Sequence, residues 1–367
     1  MVYFMYLYAK MLPACNMASR PATCPGNDRR FTMKAAFYDH QGNTDVLVLG
    51  ELPDPEPGAG QVRVRLAFSG LNPSDLKTRT GFAGAPMPFP RIVPHQDGAG
   101  IIDKVGPGVS GDRIGQRVWL YMAQTGQAFG TAAEYVTLPS DRAVPLADAA
   151  SFQVGATLGI AAITAHRCLF ADGDLRGRHV LVQGGGGAVG TAAILLAKWA
   201  GARVAATVSR PEQAEAARRA GAELVINRRT EDIAAKIRDW TGAKGVERIV
   251  DVDLAANIDT DIACLAPSGV VTAYATEDPG VRLSMPFLKT MFGGYAFRFV
   301  FFYTIPDDAL RQAVREVSDC VASGAYEPVI GLTVPLDKIA QAHAAQEEGT
   351  VVGKVLLEID PDPARRS

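Results

Sequence analysis

The sequence predicts an α/β chain in two parts: a β-rich, barrel-like unit and a parallel sheet flanked by helices. Three observations predict it. From residue 34 to about 150 the chain is a series of short β-type runs broken by Gly and Pro, the pattern of a β barrel. From about residue 152 strands and helices alternate, which is the rhythm of βαβ units and a doubly wound parallel sheet. At 183–190 the run QGGGGAVG stands directly after one strand and directly before one helix. The length of 367 residues suits about two domains of roughly 100–200 residues each.

The elements follow in order. In the first unit 61–68 (QVRVRLAF) alternates strictly, and 98–105, 117–121 and 132–137 are further short strands. In the second unit 179–183 (HVLVQ) is a buried-type strand and 188–200 a helix, followed by a strand at 203–208 and a helix at 211–220. The alternation continues through 223–226, 229–240, 247–252, 259–265 and 270–274, and 297–303 (FRFVFFY) reads as one more strand. After Pro306 come a helix to about Ser323, a strand near 329–334, a second helix and a strand at 351–359.

Composition narrows the class. Hydrophobic residues make up 48% and charged residues 21%, ordinary values for a globular protein with a substantial core. Lys and Arg number 37 against 39 Asp and Glu, a formal net charge of −2. That balance lacks the basic excess of a dedicated nucleic-acid binder. Cys15, Cys24, Cys168, Cys264 and Cys320 are widely spaced and odd in number, so the pattern is no disulfide framework. Reduced thiols and a cytoplasmic location are the expectation. The stretch 1–15 is too short to span a bilayer and is interrupted by Lys10. Residues 1–32 are read as a disordered N-terminal extension.

The glycine run carries the first functional signal. Gly185, Gly187 and Gly190 spell G-x-G-x-x-G in the strand–loop–helix setting that a dinucleotide requires. Glycines let the backbone approach a pyrophosphate, and the helix start offers unpaired N–H groups and about half a positive charge. NAD sites carry an Asp or Glu at the tip of the second strand for the ribose 2′-hydroxyl. Here that strand, 203–208, runs into Ser209, Arg210 and Pro211, with no carboxylate. A hydroxyl and a guanidinium suit a 2′-phosphate, and Arg228 and Arg229 follow the third strand. NADPH is therefore expected over NADH.

With these residues in view, 33–359 resembles the quinone oxidoreductases, the zeta-crystallin-like, zinc-independent branch of the medium-chain dehydrogenase/reductases. The likeness rests on NPSDLKTRTG at 72–81, PHQDGAGIIDKVGPG at 94–108, FQVGATLGIAAITAHRCL at 152–169, the glycine loop, and 337–357, in that order and spacing. It implies a GroES-like catalytic domain made of 33–152 and 305–360, with a Rossmann NADPH-binding domain at 153–304 between them. It further implies a homodimer in which strands near 297–303 pair across the two-fold axis. By the same resemblance, Asn72 and Thr164 lie near the nicotinamide. Gly184, Gly185, Gly186, Gly187, Ala188, Val189 and Gly190 hold the pyrophosphate. Ser209, Arg210 and Arg228 surround the 2′-phosphate, and Thr276, Gly353 and Lys354 line the cofactor. One departure stands out: Lys77 occupies a position where zeta-crystallin-like enzymes carry Tyr. A lysine in the cleft is then a candidate donor to the acceptor's oxygen.

No metal is expected. Zinc-dependent relatives place a Cys where this chain has Asn72 and a His where it has Gln96. His95 falls one residue early, and their lobe of four cysteines is missing, whereas a catalytic zinc needs about three protein ligands. H-E-x-x-H and G-x-S-x-G are absent too. NADPH-dependent quinone reduction, on a small-molecule acceptor held in the cleft, is the function read from the sequence. Phe82, Met87, Phe89 and Phe129 are candidate pocket residues. A 2-alkenal or α,β-unsaturated ketone reductase is the near alternative. An NADPH-binding structural or RNA-binding crystallin-like protein is the alternative of another class.

Overall fold

The computed structural model describes residues 32–363; apart from Thr32, the N-terminal extension lies outside them. Period-two alternation builds the first unit. In β3 (Gln61–Leu71), Val62, Val64 and Leu66 fall on one face and are fully buried with Ile102, Val118 and Leu120. This strand pairs antiparallel with β4 (Asp97–Val105) and β6 (Tyr135–Pro139). Beyond β4 lie β5 (Arg117–Leu120) and β7 (Ala143–Pro145). The last two strands of the chain, β14 (Ile330–Pro335) and β15 (Lys354–Glu358), return to join β3, so the sheet runs β14-β15-β3-β4-β5-β7 with β6 attached to β3. A two-stranded ribbon, β1 (Thr32–Phe37) and β2 (Val48–Pro53), packs beside it. Helix α1 (Pro73–Thr80) follows β3 directly.

The second unit is a six-stranded, fully parallel sheet. Its strands are β8 (His179–Val182), β9 (Arg203–Val208), β10 (Leu224–Asn227), β11 (Val246–Asp251), β12 (Leu265–Ala273) and β13 (Ala296–Phe299). The order β10-β9-β8-β11-β12-β13 puts the switch of winding between β8 and β11, where doubly wound sheets bind ligands at the strand ends. A helical run leads in from the first unit: α2 (Phe152–Gly155), a π turn (Leu158–Ala162) and α3 (Ile163–Phe170). The crossovers are α4 (Ala188–Trp199), α5 (Pro211–Arg219), α6 (Ile233–Thr241) and α7 (Leu254–Cys264), with α8 (Phe287–Gly293) before β13. The GroES-like and Rossmann architectures are thus both present.

Element boundaries differ from the expected ones for local reasons. Helix α6 starts at Ile233 rather than 229 because Asp232 caps it, accepting from Ala235 N at 2.9 Å. Helix α7 begins at Leu254, five residues before its apolar periodicity becomes readable. Only the first part of 297–303 is a strand. Val300 N still reaches Ala273 O at 2.8 Å, but β12 ends there, and the unpaired backbone turns at Phe302–Thr304. Helix α9 (Asp307–Ala322) buries Ala313, Val317, Cys320 and Val321 in the same core as Leu169, Ala193 and Leu196. By packing it joins α3 and α4 on the Rossmann side. Helix α10 (Ile339–Glu347) instead packs with β14, β15 and α1. Cys168, Cys264 and Cys320 are buried and unpaired.

Candidate active site

The glycine loop behaves as close packing dictates. A Cβ on Gly185 would stand 2.7 Å from Ala206 Cβ, and one on Gly190 would stand 2.2 Å from Gly184 O. These two positions let α4 press against β8 and β9. Gly187, the residue before α4, is different: its nearest neighbour would be 3.7 Å away. The space above the helix start is open, and twelve residues of aligned peptide dipoles end there. Gln183 supports the loop from beneath. Its Oε1 accepts from Thr207 Oγ1 at 2.7 Å, and that oxygen in turn accepts from Gly184 N at 3.2 Å.

At the tip of β9 the structure brings two of the three expected 2′-phosphate residues together. Arg228 Nε donates to Ser209 Oγ at 2.7 Å. Arg210 turns away across the cleft and donates to the carbonyls of Gly349 and Thr350 at 3.0 and 3.3 Å. Gly353 N donates to Gly186 O at 2.9 Å, so the loop before β15 touches the glycine loop itself. Lys77 makes a third tie, donating to Thr276 O at 2.7 Å, with its ammonium 4.5 Å from the Phe82 ring centroid. Lys77 is therefore neither free in solvent nor unpartnered in the cleft.

Asn72 ends β3 and opens α1, with its side chain directed into a buried charged cluster. Its Nδ2 donates to Asp97 Oδ2 at 2.8 Å, and its Oδ1 accepts from Lys354 Nζ at 2.6 Å. Lys354 also reaches Asp97 Oδ2 at 2.9 Å. The other amide hydrogen of Asn72 faces Gly70 O at 3.5 Å, too long to count for much. Asp97 is the hub that sequence reasoning passed over. Besides these two contacts, its Oδ1 accepts from Ile160 N at 2.9 Å, inside the π turn that leads to Thr164. Gly159 makes this possible, since a Cβ there would lie 2.1 Å from that oxygen. One carboxylate thus holds Asn72, Lys354 and the approach to Thr164. Asp75 closes the cluster by accepting from Asn72 N at 2.8 Å. Burial, reinforced by the Asp97 charge, pushes its pKa to about 8. The residues at 72, 75 and 97 sit inside the motifs that carry the family likeness, but no local signal in the sequence joins them.

His95 also finds its explanation. Both of its ring nitrogens are used: Nδ1 with Ser69 Oγ at 2.8 Å and Nε2 with His343 Nε2 at 3.0 Å. Burial holds the His95 pKa far below its ordinary value and lowers that of His343 to about 3, so both rings are neutral. The direction of each bond then follows. Arg79, a pure donor, gives Nε–H to His343 Nδ1 at 3.3 Å. His343 must donate to His95, and His95 to Ser69. Ser69 donates to Thr131 at 2.8 Å, and Thr131 ends the chain on Asp97 O at 2.6 Å. Gln96 hydrogen-bonds Gln124. Among the described residues no group of three or more His, Cys, Asp or Glu could hold a metal ion.

Three of the four candidate pocket residues are half-buried and pack on neighbouring core clusters. Met87 and Phe89 pack on Tyr38, Val46 and Ile92, and Phe129 packs on the cluster containing Met33 and Val93. Loop position concealed these contacts. Phe82, beneath Lys77, remains at the cleft.

A Rossmann sheet whose glycine loop opens toward a GroES-like unit, across a cleft with a buried polar cluster, defines a two-domain dinucleotide oxidoreductase. Residues 58–148 match the alcohol dehydrogenase GroES-like domain, and residues 188–323 match the zinc-binding dehydrogenase model. A quinone oxidoreductase of Rattus norvegicus is 30% identical over 316 residues, 85% of this chain and 93% of the relative. A 2-haloacrylate reductase of Burkholderia sp is 29% identical, covering 88% of this chain and 98% of its own. A mycobacterial protein solved with NADPH superposes with a TM-score of 0.76 at 26% identity, over 89% of this chain and 99% of its own. The chain belongs to the medium-chain dehydrogenase/reductase family of oxidoreductases, in the quinone oxidoreductase branch. Among the described residues no helix is long and apolar enough to cross a membrane.

Proposed function

We propose that this chain is an NADPH-dependent, zinc-independent reductase of quinones that works as a homodimer. The observation that carries the cofactor choice is the Ser209–Arg228 pair at the tip of β9, where the sequence 208–211 has no Asp or Glu. A hydroxyl and a fixed guanidinium there favour a phosphate over a bare ribose. The open space over Gly187 at the start of α4 fits a pyrophosphate. The quinone acceptor rests on the full-length likeness to quinone oxidoreductases.

Zinc independence has a physical reason. The residue in the Cys position, Asn72, has its oxygen 2.6 Å from an ammonium, which repels a second cation. Gln96 and His95 are already committed to protein partners.

When bound, NADPH supplies the hydride, so the chain's task is to position the reactants and keep water out. Three ties across the cleft support the second role: Lys77 to Thr276, Gly353 to Gly186, and Arg210 to Gly349 and Thr350. Asp97 and Lys354 orient the Asn72 amide and leave it one N–H to offer toward the nicotinamide or the acceptor's oxygen. Thr164, in the first turn of α3, borders the ring from the other side. A second reading is reduction of an activated C=C in an α,β-unsaturated carbonyl compound, favoured by the 2-haloacrylate reductase likeness.

The test is NADPH oxidation with 1,4-benzoquinone, 9,10-phenanthrenequinone and a 2-alkenal side by side. Faster turnover with the quinones supports the first reading, and preference for the alkenal replaces it with the second. No turnover with any of them, alongside tight NADPH binding, would favour a non-enzymatic binding protein.

A further inference from the structure

Beneath the glycine loop lies a buried acidic pair that the reaction does not use. Asp251 ends β11 and Asp261 sits in α7, and both are fully buried. One oxygen of each is well satisfied. Asp251 Oδ1 accepts from Asp253 N at 2.5 Å and from Asn257 Nδ2 at 3.1 Å. Asp261 Oδ1 accepts from Gln183 Nε2 at 2.8 Å. Among the described residues the second oxygens, Asp251 Oδ2 and Asp261 Oδ2, have no hydrogen-bond partner, and the two carboxyl groups lie near enough for each to feel the other's charge. Two buried, ionised carboxylates in contact would repel each other in a low dielectric, and each orphan oxygen would carry a desolvation cost. One proton between them removes both penalties.

We propose that Asp251 and Asp261 share a single proton, and that this neutralised pair positions the dinucleotide loop by holding Gln183. The link is short. Asp261 fixes the Gln183 amide, Gln183 orients Thr207, and Thr207 accepts from Gly184 N. Gln183 is thereby kept with its oxygen toward Thr207 and its NH2 toward Asp261. Among the described residues, none of the groups acting on Asp261 is a cation that could replace the proton. Asn257 and the Asp253 backbone lie on the α7 side. Cys264, further along α7, is pushed up to about 12 by burial, and Tyr274 beyond β12 is pushed up likewise, so both stay neutral. Burial first, then the neighbouring Asp251, raises the pKa of Asp261, in keeping with the shared proton.

The inference about the loop rests on the dinucleotide reading; the shared proton does not, so the two are tested separately. Infrared difference spectra of the intact protein, free of cofactor, compare wild type with Asp261→Asn and Asp75→Asn at pH 7. The expected result is a protonated-carboxyl C=O band that vanishes in Asp261→Asn and survives in Asp75→Asn. No band lost in Asp261→Asn means two ionised carboxylates bridged by a water or a cation, and overturns the proposal. NADPH binding is then followed by fluorescence. Asp261→Asn can still accept from Gln183 and donate to Asp251, so its Kd is expected within about threefold of wild type. Asp261→Leu removes the acceptor for Gln183, and its Kd is expected to rise about tenfold or more. Asp261→Leu with wild-type affinity would overturn the positioning role even if the band behaves as expected. Circular dichroism of each variant separates loss of the loop from loss of the fold.

Discussion

His95 shows what a single position can cost and recover. Its φ is +80°, in the left-handed region that L side chains avoid, at a place where the zinc-dependent pattern of the family has Gly. The strain is offset because the ring bridges Ser69 and His343 and so completes a chain of donors from Arg79 to Asp97 O. Two other residues carry direct tests. Arg228→Ala removes the guanidinium from Ser209 and should weaken NADPH binding by about 1.5 kcal/mol, the lower end for a charged hydrogen bond because the side chain is exposed. NADH binding should stay unchanged, and an equal loss for both dinucleotides in titration would remove the 2′-phosphate from this site. Lys77→Met cuts the tie to Thr276 O. We expect the KM for NADPH to rise about three- to tenfold, since one hydrogen bond across the cleft is lost. Turnover should stay within about threefold of wild type. A fall in kcat of about 100-fold or more at unchanged KM would instead mean that the ammonium leaves Thr276 and stabilises charge in the transition state.

At the scale of elements, α1 gives a pH-dependent prediction. Asp75, in its first turn, has its pKa pushed from 3.8 to about 8 by burial. The unfolded chain therefore releases this proton near pH 4, whereas the folded chain keeps it until about pH 8. Between those values the folded state binds more protons, so the Asp75 contribution to stability falls as pH rises and then levels off above about 8. Asp75→Asn can still accept from Asn72 N and does not titrate. Relative to wild type it should gain at least about 1.4 kcal/mol, one pKa unit's worth, between pH 4 and pH 9 in denaturant titrations. A parallel pH dependence for the two proteins would place Asp75 in a more polar setting. Elements such as α1 also show where sequence reading stops. Strands β3 and β9 and the start of α4 were legible because alternation and the G-x-G-x-x-G spacing are local signals. The Asp97 hub was not, because it joins residues 72, 160 and 354, and only the fold brings these together. The place of Arg210 at the end of β9 predicts a phosphate ligand. Its bond to Gly349 and Thr350 depends on a loop 139 residues away. Likewise, the packing of Met87, Phe89 and Phe129 is not legible in the sequence, because loop residues carry no periodicity to reveal which way they face.

At the scale of the whole molecule, the remaining question is what covers the outer edge of the Rossmann sheet. Among the described residues strand β13 pairs only with β12, on one side, and an open edge is a template for another strand. Around it Phe287, Phe292 and Phe299 are 72%, 80% and 66% exposed, with Leu288, Met291 and Phe301 also exposed. Exposed large apolar side chains gathered along one edge of a sheet are what an interface would cover. A two-fold axis beside β13 would let the strand pair antiparallel with its copy, satisfying both edges and burying the phenylalanines of each chain with one self-complementary contact. That geometry supports the homodimer we propose. The wild-type protein should sediment as a dimer at micromolar concentration. Phe299→Asp places a charge at the centre of the contact, where burying it unpaired costs several kcal/mol, and should sediment as a monomer. The glycine loop lies on β8, three strands away from β13, so NADPH affinity of the monomeric variant should change less than about threefold. A wild-type protein that sediments as a monomer, or a Phe299→Asp variant that remains a dimer, would move the interface elsewhere on the molecule.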